Sequence, residues 1–149
     1  MEVAVLGAGT AGRGIAQVCA LAGHEVALYD EEANVVMDGI DAVQAGIDDA
    51  AAAGEVPGGD AAAATDRIEG TTSLEPAVGD AEVVVETTDV DREARRALFA
   101  EVEELVGDDT LVATGEDILP VSVSESINPA VSQKSRLSVF CLSVVLSAP

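Results

Sequence analysis

Residues 2–12 read Glu2-Val3-Ala4-Val5-Leu6-Gly7-Ala8-Gly9-Thr10-Ala11-Gly12, and the order of residue types in this stretch decides the fold. The short apolar run ending at Gly7 predicts a parallel strand buried on both faces, since a half-exposed strand would alternate with polar residues. Ile15, Val18, Cys19 and Ala22 then recur at helical spacing until Gly23 supplies a stop. A G-x-G-x-x-G turn between a strand and a helix is built to hold phosphates. Gly7 permits the tight turn, Gly9 lets the backbone approach a diphosphate, and Gly12 lets helix and strand pack closely. Ala8, Thr10 and Ala11 complete the cradle, and the partial positive charge of the helix start faces the anion.

Working outward, Glu25 to Tyr29 is a second apolar run, closed by Asp30. A carboxylate at that strand end accepts hydrogen bonds from the adenosine ribose hydroxyls and repels a 2′-phosphate, so the predicted cofactor is NAD rather than NADP. Glu31 and Glu32 add to the repulsion. Residues 31–53 carry Val36, Ile40, Val43 and Ile47 on one stripe, an amphipathic helix. Gly54 to Gly59 breaks it, and Ala61 to Ala64 start a helix turning back. Ile68 to Ser73 reads as a weak strand and Ala81 to Glu86 as a strong one. Asp91 to Val106 reads as a helix with Ala94, Leu98, Val102 and Leu105 inward and Arg92, Arg95 and Arg96 among the outward residues. Thr110 to Thr114 is the next strand. Strands alternating with helical periods imply an α/β fold, a doubly wound parallel sheet covered on both faces.

Composition narrows the function. The chain has 149 residues, is 48% hydrophobic and carries 28 acidic against 7 basic side chains, for a net charge of −21. One globular domain is expected, with mean hydropathy of +0.30 arguing against disorder. Nucleic acid is excluded as a partner because its phosphates would be repelled. A membrane span is not expected, since no apolar run approaches the roughly 20 residues needed. No targeting peptide is legible, which points to the cytoplasm. Two cysteines and one histidine make neither a disulfide framework nor a zinc site, so no metal is expected. Many carboxylates beside a single lysine, Lys134, suit a surface whose repulsion is screened by concentrated salt, and a halophilic source is expected.

Gly7 to Gln17, followed by Leu21-Ala22-Gly23-His24-Glu25-Val26 and Leu28-Tyr29-Asp30, resembles the opening of the NAD-dependent 3-hydroxyacyl-CoA dehydrogenases. The likeness continues through the helical hairpin, Thr71-Thr72, the strand ending at Glu86 and Leu98-Phe99, and covers residues 1 to about 125. It implies a Rossmann domain whose bound NAD exchanges hydride with the 3-hydroxyl of an acyl-CoA in fatty acid β-oxidation. It also implies a following helical domain that completes the site and forms a dimer. By the same resemblance, Glu86 and Arg95 lie beside the cofactor.

The chain departs from that family at its end. Where the family carries a run close to Thr-Asn-Thr-Ser-Ser-Leu, it reads Thr114-Gly115-Glu116-Asp117-Ile118-Leu119-Pro120. Gly115 thus stands at the asparagine position and Asp117 at that of the substrate-holding serine. The family's catalytic histidine has no match in Arg136 to Ser143, and His24 reads as a solvated turn residue on the far side of the sheet. Residues 126–149 hold no acid and much serine, so they are read as an atypical tail, with the reading frame altered near residues 115–130. The alternative is a genuine small protein in which Leu137 to Leu146 is a last, buried strand. The helical domain has no counterpart in these residues. Residues 31–66 offer no lysine or arginine to a CoA phosphate. The expectation is an NAD-binding domain weak or inactive alone. The alternatives are a non-enzymatic NAD-binding module, a half enzyme needing a separate helical partner, and another Rossmann oxidoreductase or an FAD-binding fold; a homo-oligomer is the other assembly left open.

Overall fold

The computed structural model describes residues 1–114. In chain order it contains β1 (Glu2–Leu6), α1 (Thr10–Leu21), β2 (Glu25–Tyr29), α2 (Ala33–Ala52), α3 (Gly58–Asp66), β3 (Ile68–Thr71), α4 (Leu74–Val78), β4 (Val83–Glu86), α5 (Arg92–Leu105) and β5 (Leu111–Thr114). The five strands form one sheet in the order β3-β2-β1-β4-β5 with every pairing parallel. Successive strands are laid down outward from β1 to β3 on one side, then from β4 to β5 on the other. The switch between β1 and β4 opens a crevice at the carboxyl ends of those strands. The doubly wound parallel sheet expected from the sequence is therefore the observed fold.

The alternation of the central strand explains the two layers. Val3 and Val5 pack with Ala16 and Cys19 of α1, Val43 and Ile47 of α2, and Ala61 and Ala64 of α3. Ala4 and Leu6 point the other way, into Leu74, Ala77 and Val78 of α4 and Phe99 and Val102 of α5. Each fully buried valine or leucine here contributes about 1.5–3 kcal/mol relative to exposure.

Three sequence expectations are corrected. In α1 the expected stripe included Val18 and Ala22; Val18 is 44% exposed and Ala22 is exposed, whereas Gly12, Ala16, Cys19 and Ala20 are buried. The helix turns its smallest side chains to the sheet because it approaches closely there. In α5 the inward stripe is rotated: Ala94 is exposed, and Arg95, expected outside, is buried with Phe99 and Val102. Its cause is a buried acid beneath the helix, described below. His24 is only 5% exposed rather than solvated, with Nδ1 3.3 Å from the Met1 amine. The short helix α4, with Pro76 in it, left no periodic signal in the sequence. The last strand expected over residues 137–146 lies outside the described residues.

Burial pushes the Cys19 thiol above its ordinary value of 9.0. Burial first, then Glu31, Glu101 and Asp30, pushes the Tyr29 phenol above 10.0. Both groups release a proton more readily in the unfolded chain, so their stabilising effect is whole below the unfolded values and is lost as pH rises through the folded ones. The melting temperature is expected to fall above about pH 9, and Cys19→Ala to remove the earliest part of that fall. A melting temperature that climbs through this range contradicts the assignment.

Candidate cofactor-binding site

The turn between β1 and α1 is closed too tightly to admit side chains at two of its glycines. Gly7 has φ +105°, the left-handed region that L side chains avoid. A Cβ on Gly12 would lie 1.8 Å from the Gly7 carbonyl oxygen and 2.9 Å from Thr87 Oγ1. Gly9 is the opposite case, with no atom within 4 Å of where its Cβ would sit. The space over Gly9 is open while the space under Gly7 and Gly12 is filled, which is the shape a diphosphate needs to reach the backbone.

The start of α1 is also left without a side-chain cap. Gly9 occupies the cap position, no side chain bonds to the first amides there, and the first turn carries no acid. By contrast, α5 is capped by Asp91, whose Oδ1 accepts from the Ala94 N–H at 2.8 Å, and has Glu93 in its first turn. One helix start neutralises itself; the other presents amides and dipole outward to an anion.

Asp30 follows β2 and is half-buried, with Oδ2 accepting the Ala8 N–H at 3.0 Å and Oδ1 the Glu32 N–H at 3.3 Å. It thus ties the end of β2 to the glycine turn. Two further residues brace this turn and were not singled out in the sequence. Arg13 Nε donates to the Ala8 carbonyl at 2.7 Å. A signal for it existed, since Arg13 is the only lysine or arginine among the first 66 residues. Thr87 Oγ1 lies 3.0 Å from the Leu6 carbonyl oxygen and 3.1 Å from that of Gly7. No pattern local to Thr87 could reveal this, because its partners come from another strand.

Across the crevice, Glu86 ends β4 and is wholly buried. Its Oε1 accepts from the Thr88 N–H at 2.8 Å and from the Thr88 hydroxyl. Its Oε2 accepts from Thr114 Oγ1 at 3.0 Å and pairs with Arg95 Nε at 3.3 Å. Arg95 also donates from Nη2 to the Thr88 carbonyl at 3.1 Å. The structure brings Glu86 and Arg95 together, as an ion pair within the protein. Asp117 lies outside the described residues, as does Gly115. His24 precedes β2 and stands at the amino-terminal end of the strands, opposite to the glycine turn at their carboxyl ends. Among the described residues no three His, Cys, Asp or Glu side chains gather to hold a metal ion, and no helix is long and apolar enough to cross a membrane.

A profile described as the 3-hydroxyacyl-CoA dehydrogenase NAD binding domain matches residues 2–140. The chain belongs to this family. The match runs beyond residue 125, where the likeness read from the sequence stops. The chain is 32% identical to the 3-hydroxyadipyl-CoA dehydrogenase of Escherichia coli (strain K12) over 129 residues, which are 85% of this chain and 27% of that protein. It is 30% identical to a 3-hydroxybutyryl-CoA dehydrogenase of Mycobacterium tuberculosis over 121 residues, 80% of this chain and 42% of that protein. The crystal structure of 3-hydroxybutyryl-CoA dehydrogenase from Escherichia coli K12 has a TM-score of 0.78 at 31% identity, covering 85% of this chain and 26% of that one. That of (S)-3-hydroxybutyryl-CoA dehydrogenase from Ralstonia eutropha has 0.76 at 26%, covering 84% and 44%. The chain therefore spans between 26% and 44% of the length of the relatives it matches here. As an NAD-binding domain of this dehydrogenase family, it takes NAD as its cofactor, and the open space over Gly9 fits that group.

Proposed function

We propose that this chain is the cofactor-holding part of a 3-hydroxyacyl-CoA dehydrogenase of β-oxidation, working inside the cell where NAD and acyl-CoA pools meet. The observation that carries the reading is the pairing of a sterically closed glycine turn with Asp30, one strand over, hydrogen-bonded to that same turn. The turn made by Gly7, Ala8, Gly9, Thr10, Ala11 and Gly12 holds the diphosphate, chiefly through the amides at the start of α1, and Asp30 accepts from the adenosine ribose. Glu86 and Arg95 serve the nicotinamide half, because the dinucleotide that has its adenosine over β2 must run its other half over β4. When bound, NAD supplies the hydride acceptor for a 3-hydroxyl. The chain's own part is to bind and orient it.

A proton must also leave the substrate hydroxyl. His24, the one histidine, is at the wrong end of the strands to take it. A base and the acyl-CoA contacts are therefore assigned to a helical domain or partner chain, and Asp117, at the position of the family's serine, to the hydroxyl. Residues 1–149 act as one cofactor domain, of which residues 141–149 lie beyond the stretch matched by the family. The acidic surface is read as adaptation to concentrated salt.

NADH titration followed by nicotinamide fluorescence tests the reading. Wild-type chain is expected to bind NADH in preference to NADPH. Asp30→Ala is expected to weaken NADH by roughly tenfold to a hundredfold, the loss of charge-assisted hydrogen bonds, and to narrow the preference. No NADH binding by the wild-type chain at any salt concentration overturns it. Reduction of acetoacetyl-CoA by NADH without any added partner would overturn the assignment of the base elsewhere and leave cofactor binding standing.

A further inference from the structure

Glu86 is buried and committed to partners within the protein. An ionised carboxylate offers about four acceptor sites; here the Thr88 amide, the Thr88 hydroxyl and the Thr114 hydroxyl hydrogen-bond to three of them, and Arg95 Nε stands 3.3 Å from Oε2 as an ion pair. The side chain is also without solvent exposure. A carboxylate so placed cannot grip a ribose hydroxyl without giving up a protein partner, and giving one up would strand a buried charge. What it touches is informative. Thr114 ends β5 and stands in register with Glu86, Thr88 lies in the loop into α5, and Arg95 lies on that helix. Arg95 closes the circuit by reaching the Thr88 carbonyl as well as the carboxylate.

We infer that Glu86 is a positioning residue. Through the Thr88 amide and hydroxyl, Thr114 and Arg95, it sets the conformation of the loop from Thr87 to Asp91, the wall against which the nicotinamide half of the cofactor lies. The inference rests on the NAD-binding reading above and refines it, since Glu86 and Arg95 act on the cofactor through the loop. The same loop starts with Thr87, whose hydroxyl braces the Leu6 and Gly7 carbonyls. The wall and the phosphate turn are thus joined at one residue, yet only the wall depends on Glu86.

That division gives the test. The probes are NADH and ADP-ribose, which share the adenosine, diphosphate and second ribose but differ in the nicotinamide ring. Glu86→Gln keeps the volume and removes the charge that holds Arg95. It is expected to weaken NADH about tenfold while leaving ADP-ribose within about twofold of wild type. Thr88→Val removes the hydroxyl that anchors the carboxylate and leaves Arg95 paired. It is expected to give the same split at smaller size, and it decides the question should Glu86→Gln fail to fold. Equal weakening of both probes, or no weakening of either, overturns the positioning role and leaves Glu86 a structural ion pair. Wild-type chain that binds neither probe overturns the underlying NAD reading instead.

Discussion

Gly12→Ala is expected to lower NADH affinity by about a hundredfold, roughly 2.8 kcal/mol, and to destabilise the fold as well. In an ordinary helix interior the same change is favourable by about 1 kcal/mol, since alanine orders at smaller entropic cost than glycine. Here the new Cβ would meet a backbone carbonyl at 1.8 Å, a position that only movement of α1 or of the Gly7 turn can relieve. Overpacking of this kind costs about 1–3 kcal/mol, and the movement that relieves it opens the cradle the diphosphate needs. Gly14→Ala in the same helix is the internal control, because nothing lies within 4 Å of its Cβ position. It is expected to stabilise by about 0.5–1 kcal/mol and leave NADH affinity unchanged. Thermal melts and NADH titrations of the two variants check both signs. A Gly12→Ala variant that binds like wild type would mean the turn is not the phosphate site.

The second large effect is that of salt. The chain carries a net charge of −21, and the described residues place much of it outward, as Asp38, Asp41, Asp48 and Asp49 along α2 and Glu93, Glu101 and Glu104 along α5. Such charges repel over about 10 Å at 0.1 M salt but only about 3 Å at 1 M, so the folded state, which crowds them, gains more from screening than the expanded one. Relief of a few kcal/mol corresponds to a rise in melting temperature on the order of 10 °C between dilute and concentrated KCl. A melting temperature that does not respond to KCl would refute the salt-adapted reading and leave the surface as merely acidic. NADH affinity, set by neutral amides and a short-range contact to Asp30, is expected to change less than stability over the same series.

Much of the site is legible in the residues because its determinants are local. A glycine is required where a Cβ has no room, so the positions of Gly7 and Gly12 by themselves announce the turn. Asp30 is legible for a related reason, since the end of an apolar run marks the end of a strand. The stripe on α2 also reads well, as Val36, Val43 and Ile47 are all buried. The reading fails where a buried polar partner overrides hydrophobic periodicity. Arg95 belongs to the hydrophilic face by type, and only the presence of Glu86 beneath it makes burial favourable. Ala94 looks inward by type and is exposed because the helix rotates to deliver that arginine.

The parallel sheet, its two covering layers and the glycine turn follow from residue types and spacings in this chain, because backbone sterics and apolar burial act over a few residues. The bracing of that turn by Arg13 and Thr87, the capture of the Ala8 amide by Asp30 and the enclosure of Glu86 by three hydrogen bonds and an ion pair do not. The contacts of Thr87 with Leu6 and Gly7, of Asp30 with Ala8 and of Thr114 with Glu86 join residues far apart in the chain and exist only once parallel strands set their ends side by side. Tertiary structure alone decided that Arg95 is an internal counter-ion and that Glu86 answers to the protein rather than to solvent, since a charge is worth burying only where its partner is already fixed.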